Sequence, residues 1–207
     1  RKRPKPYKRF LQLYKLILMI NSHTFLAKLI HWTFIPLYAY GIFKQVDDLN
    51  ELEDASLLNF EILFAIVFLI IVLLRYFYMK DTPTLLGAHE NVHKGHLFIA
   101  KTVHGLVYFS LIMLPATGLV IAALFYLEVG GVEIAIAVHE FSAFLSYVVI
   151  ALHVGASLYS RFKGEGLWNA MVPAFKETGR NSSNLILKLE DIERKTYEKI
   201  EKVFNLE

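Results

Sequence analysis

Four apolar stretches, at residues 25–43, 57–78, 97–127 and 134–162, are each long enough to carry a helix across a lipid bilayer. A helix rises about 1.5 Å per residue, so a hydrocarbon core of roughly 30 Å takes about 20 residues to cross. The core holds no water to bond backbone N–H and C=O groups, so each stretch must satisfy its own, which selects helices. Composition agrees, since 55% of the 207 residues are hydrophobic and a soluble domain of this size needs more polar cover. The first stretch is the least apolar, carrying Lys28 and His31. The third is longer than a span requires and contains Pro115 followed by Gly118, where a tilt or kink is expected.

Charge sets the expected orientation, because basic residues are retained on the cytoplasmic side. Arg1, Lys2, Arg3, Lys5, Lys8, Arg9 and Lys15 precede the first stretch; Arg75, Lys80 and Lys94 follow the second; Arg161, Lys163 and Lys176 follow the fourth. The acidic loops around Asp47 and Asp54, and around Glu128 and Glu133, fall on the other side. Both termini are thus expected in the cytoplasm, with the chain in a bacterial-type inner membrane. Residues 10–20 are apolar but too short to span and are flanked by cations, which reads as a helix lying in the interface. No small-residue cleavage site follows, so a cleaved signal peptide is not expected. Near the other end, Leu185, Leu189, Ile192, Ile200 and Val203 recur at helical spacing among Glu, Lys and Arg. That pattern gives an amphipathic cytoplasmic helix, which lies on the membrane or docks a partner. The expected architecture is all-α. A four-helix transmembrane bundle at 23–173 stands between a basic, interfacial N-terminal segment at 1–22 and a C-terminal amphipathic segment at 174–207.

The lack of cysteine excludes disulfides, thiolate-held iron–sulfur clusters, c-type haem attachment and cysteine catalysis. The clustered N-terminal cations have no folded basic face beside them, which points to a membrane surface and away from nucleic acid. No P-loop or dinucleotide glycine signature occurs. What remains is eight histidines, and ionisable groups inside hydrocarbon usually mark a site. His31, His104, His139 and His153 fall within the apolar stretches, whereas His23, His89, His93 and His96 fall near the cytoplasmic surface. Without acidic or thiolate partners, His89, His93 and His96 read as a solvated cluster or a proton-uptake entrance as readily as a metal site.

His139 and His153 are 14 residues apart, close to four helical turns, so their rings share a face at a spacing of about 21 Å. One helix can thus offer an imidazole to each leaflet, which suits haem iron held between imidazoles of two helices. The plainer reading of either residue is a histidine hydrogen-bonded to a neighbouring helix. By depth, His31, His104 and His153 share the cytoplasmic layer, and spacing alone does not choose which two would grip an iron. At the level of His139 the other stretches hold no histidine. Asn59 and Glu61 are the polar residues of the second stretch there, and neither is a usual axial ligand.

Three pieces of sequence resemble the bacterial cytochrome b561 family, which is related to the cytochrome b subunits of nickel–iron hydrogenases and formate dehydrogenases. They are Leu29-Ile30-His31-Trp32; Leu114-Pro115-Ala116-Thr117-Gly118-Leu119-Val120, with His104 ahead of the proline; and the run from His139 to His153, followed by Trp168 and Pro173. The resemblance covers residues 24–173. It implies a four-helix bundle that carries haem b and exchanges electrons with quinone. It implies axial ligands at His31 and His153 for an inner haem and at His139 for an outer one. The family's helix-two histidine that would face His139 falls near Asn59 or Phe60 here. One haem is therefore expected, and the second is left without its partner. His104 is an alternative ligand or a group beside the site.

Around the inner site, Arg75 and Arg161 are candidates to pair with haem propionates, although each also suits an interfacial cation. Lys101, one turn before His104, is a candidate for a quinone carbonyl or a propionate. No residue is assigned as catalytic. These expectations describe a membrane b-type cytochrome exchanging electrons with the quinone pool, as the membrane subunit of a respiratory oxidoreductase with a redox partner subunit. Two alternatives stand beside it. A stand-alone superoxide:quinone oxidoreductase would need a complete outer haem site and an exposed basic patch. A non-redox, histidine-lined metal or proton transporter would need paired intramembrane carboxylates.

Overall fold

The computed structural model describes residues 24–44, 49–80, 93–172, 174–177, 179 and 183–206. The basic N-terminal block, the helix expected at 10–20, His23, His89 and Pro173 lie outside these. Among the described residues, regular structure is entirely helical: α1 (Phe25–Phe43), a 3-10 turn (Leu49–Glu53), α2 (Ala55–Met79), α3 (Lys94–Tyr126), α4 (Val132–Lys163), α5 (Leu167–Met171) and α6 (Asn184–Phe204). By length and composition, α2, α3 and α4 can each cross a membrane. α1 has 19 residues but is interrupted by Lys28, His31 and Pro36, and it falls outside that group. α3 continues through Pro115. Just beyond the proline, the Thr117 hydroxyl lies 2.7 Å from the Met113 carbonyl and 3.0 Å from that of Leu114.

The chain divides into two compact units. The first comprises Leu29–Thr82 and Thr102–His153. Its buried cluster joins Phe34 of α1, Phe68 and Val72 of α2 and Leu111 of α3, with Ile150 of α4 packed against it. Lipid tails are as apolar as these side chains, so close packing and hydrogen bonds hold such helices together more than exclusion of water does. The buried hydroxyls of this unit are accordingly satisfied. Ser110 donates to the Val107 carbonyl at 3.0 Å and Ser146 to that of Ala143 at 2.7 Å. Having spent its proton there, Ser146 accepts from the Tyr38 hydroxyl at 2.6 Å, a direct link between α1 and α4. Leu63, Ile70, Leu74, Phe141 and Phe144 remain exposed, as side chains facing lipid would be. At one end of this unit, Leu52 of the 3-10 turn packs with Leu58 and Ala122. The Asp54 carboxylate caps α2, accepting from the Ser56 backbone at 2.8 Å and its hydroxyl at 2.7 Å. Those bonds hold Asp54 below the usual carboxylate range.

The second unit comprises Arg1–Lys28, Pro83–Lys101 and Val154–Glu207. Its described part contains the start of α3, the end of α4, α5 and α6. Ser183 caps α6, the standard use of a hydroxyl at a helix start. One face of α6 is docked: Glu193 accepts from Lys163 Nζ at 2.7 Å, from the Tyr197 hydroxyl at 2.6 Å and from the Tyr159 hydroxyl at 3.1 Å. Glu201 accepts from the Gly95 backbone at 2.8 Å, and the Phe98 and Phe204 rings pack with centroids 4.8 Å apart. Gly95 is needed here, because a Cβ on it would lie 2.6 Å from the Tyr197 carbonyl oxygen. Glu177 accepts from the backbone of Gly166 and Trp168, at 2.7 and 3.1 Å, which fixes the short α5.

Candidate functional site

Three of the histidines that fall in the apolar stretches meet in the first unit. His31 comes from the second turn of α1, His104 from α3 and His153 from α4. The His31 and His153 rings are nearly perpendicular, at 84°, with centroids 6.5 Å apart. The His104 and His153 rings are also edge to face but closer, at 5.0 Å. Trp32 leans edge-on against His31 at 6.3 Å. His31 and His153 are half-buried and His104 is exposed. An imidazole bound through nitrogen has its centroid about 3 Å from the metal, so two rings on opposite faces of one iron stand about 6 Å apart. The His31–His153 separation meets that spacing, while the His104–His153 separation is too short for it. The donor chemistry also fits a b-type iron centre, which takes imidazole on both faces and needs no thiolate.

Arg75, near the end of α2, belongs to the same unit. It is hydrogen-bonded to the Tyr108 hydroxyl, whose ring also meets Tyr76 edge to face at 5.3 Å. Arg75 is close enough for its charge to act on His153. Tyr108 escapes a reading of the sequence; its one signal is its position a helical turn after His104.

His139 has a different setting. Its Nδ1 lies 2.9 Å from the Thr117 hydroxyl oxygen, and its ring lies over Gly118, where a Cβ would stand 3.6 Å from His139 Cε1. Thr117 directs its single proton to the α3 carbonyls, so His139 Nδ1 donates and Nε2 is left as the basic nitrogen. This interhelical hydrogen bond is made by the threonine of the Leu-Pro-Ala-Thr-Gly piece, and it suits both the plainer reading and a ligand role through Nε2. Of the residues expected to face His139, Asn59 and Phe60 are exposed. Glu61 is paired with Lys44 at 2.9 Å, and the Lys44 ammonium sits 3.7 Å from the Phe60 ring centroid.

The remaining candidates lie in the second unit. Arg161 donates Nε to the Phe175 carbonyl at 2.9 Å and lies over the Trp168 ring at 5.6 Å, contacts that fix the segment after α5. Lys101 is exposed on α3. His93 is 3.7 Å from Glu201, and His96 stacks on Tyr197 at 4.8 Å. Among the described residues, no group of three or more histidine, aspartate and glutamate side chains is arranged to hold a metal ion. The Glu193–Tyr197–Tyr159–Lys163 network was not foreseeable from periodicity, because its members come from two helices about 30 residues apart.

A family model described as prokaryotic cytochrome b561 matches residues 22–174. No curated protein and no solved structure matches the chain.

Proposed function

The chain belongs to the prokaryotic cytochrome b561 family, and from that membership we propose that this membrane b-type cytochrome exchanges electrons with the quinone pool as the membrane subunit of a respiratory oxidoreductase. In this reading α1 is a fourth span beside α2, α3 and α4. Both termini are cytoplasmic, the membrane is the inner one, and segments 1–22 and 174–207 flank the bundle. His31 and His153 would hold the iron of one haem b. The observation that carries the assignment is their 6.5 Å ring separation, set against the 5.0 Å of His104 and His153.

When bound, haem b supplies a one-electron iron couple. The chain's own residues supply the rest. Imidazole nitrogens of α1 and α4 would bind the haem iron, and the apolar helices would keep water away from it. Arg75, steadied by Tyr108, provides a cation for a propionate. A quinol gives up its two electrons and two protons in two successive one-electron turnovers, the electron of each passing on to the redox partner, and in each turnover His104, exposed beside His153, is placed to take the proton and pass it to water. One haem per chain is assigned, supported by the lack of a haem-ligating side chain at Asn59 and Phe60, the positions that would face His139. A cytoplasmic redox partner then suits the chain better than an outer donor such as superoxide.

Rapid mixing of the purified chain in lipid nanodiscs with a reduced quinol tests this. The expected result is a Soret shift to the reduced form, at a rate that rises with quinol concentration. A Soret band indifferent to quinol would make the haem structural, and no Soret band together with metal-dependent transport would favour the non-redox alternative.

A further inference from the structure

α6 is docked by one face and bare on the next. At about 100° per residue, Leu185, Leu189, Ile192 and Val203 fall within an arc of about 60°. That arc lies beside the face occupied by Ile186, Glu193 and Tyr197. Among the described residues it stays open: Leu185, Ile192 and Val203 are 67%, 60% and 66% exposed. On its other flank, Lys188, Lys195, Lys199 and Lys202 form a row of similar width, all exposed, with Lys195 also paired to Asp191 at 2.6 Å.

The contacts of the docked face say where this helix sits. Gly95 and Phe98 belong to the first two turns of α3, and Tyr159 and Lys163 to the last two turns of α4. α3 and α4 are both long and apolar enough to cross the membrane, so these contacts hold α6 where two spans leave the hydrocarbon. A helix at that level with an apolar stripe bordered by lysines has the form of one lying in the interface, with its stripe among the acyl chains and its ammonium groups at lipid phosphates.

We infer that the bare stripe of α6 and its lysine row form a binding surface for the anionic lipid headgroups of the membrane the chain itself crosses. The charge on the row selects anionic over zwitterionic lipid, because each lysine near such a surface strengthens the attraction about fivefold. The docked face and the lipid-facing stripe divide the helix between them, so α6 ties the ends of α3 and α4 to the bilayer surface. This inference does not depend on the haem assignment.

The absence of cysteine from the chain makes the test direct. A spin label on an Ile192→Cys variant of the full chain is placed in nanodiscs of phosphatidylglycerol or of phosphatidylcholine. Its exposure to oxygen, which enriches in hydrocarbon, and to a water-soluble nickel chelate is then compared. In the anionic discs the label should gain oxygen contact and lose chelate contact several-fold, and Lys195→Gln with Lys199→Gln should reverse much of that change. A label on Leu187→Cys, on the opposite face, should stay open to the chelate in both discs, and slow hydrogen exchange across residues 184–204 reports that α6 is folded. A label at residue 192 that stays equally open to the chelate in both lipids, with α6 folded, would overturn the inference. So would protection that arises only when a partner protein is added.

Discussion

The imidazole of His104 stands edge to face against that of His153 with centroids 5.0 Å apart, closer than two ligands on opposite faces of one iron. His104 is therefore assigned to proton transfer beside the site. His104→Phe keeps a flat ring in place and removes the basic nitrogen. Haem content should stay as in the unaltered chain, while quinol-driven reduction slows by about 10²–10⁴-fold, the usual loss for a general base.

His139 and Thr117 form a bond between α4 and α3 at 2.9 Å. Thr117→Val preserves shape and removes the acceptor, so the bundle should lose about 0.5–2 kcal/mol, the range of hydrogen bonds between membrane helices. Thermal unfolding in detergent would show a lower midpoint. Haem per chain should not change, since this histidine is not assigned to iron.

A methyl group at Gly95 would meet the backbone of α6 at 2.6 Å. Backbone cannot swing aside as a flexible side chain can, so Gly95→Ala should cost about 1–3 kcal/mol of docking. Hydrogen exchange across residues 184–204 would quicken, with the Soret spectrum unaltered.

The docking of α6 also has a pH edge. Burial raises the Glu193 carboxyl, but hydrogen bonds from Lys163, Tyr197 and Tyr159 together with the lysine charge outweigh it and hold the group below the usual range. A carboxyl with a depressed value contributes stability above its unfolded value, and loses it as pH falls through the folded one. Exchange protection of α6 should thus hold at neutral pH and fail in acid, below the ordinary carboxylate range. Glu193→Gln should lower the neutral protection and flatten this acid dependence.

The stretches that became α2, α3 and α4 are legible because a span must be apolar over most of its length; α1 occupies 25–43 as its stretch does, but Lys28 and His31 keep it less apolar than those three. α2 and α4 each begin two residues before their apolar runs. Their first turns are set by the Asp54 cap and by Gly131 with its φ of 102°, polar or permissive residues that hydropathy passes over. α5 has five residues, too few for a periodicity to register. In α6 the apolar repeat is visible, yet the docked face runs through Glu193 and Tyr197, whose partners are distant in sequence. The layer of His31, His104 and His153 can be read from depth. Which two suit one iron depends on ring separations, and these are set by how α1, α3 and α4 pack. Thr117 as the partner of His139 is hidden for the same reason, since spacing gives a level and not a neighbour.

Haem counted per polypeptide decides whether His31 and His153 share a single iron. The pyridine haemochrome assay on the purified chain should give one haem. That haem should be lost in His31→Ala and in His153→Ala, and kept in His104→Ala and in His139→Ala. Two haems per chain, or full haem content in both the His31→Ala and His153→Ala variants, would contradict the assignment.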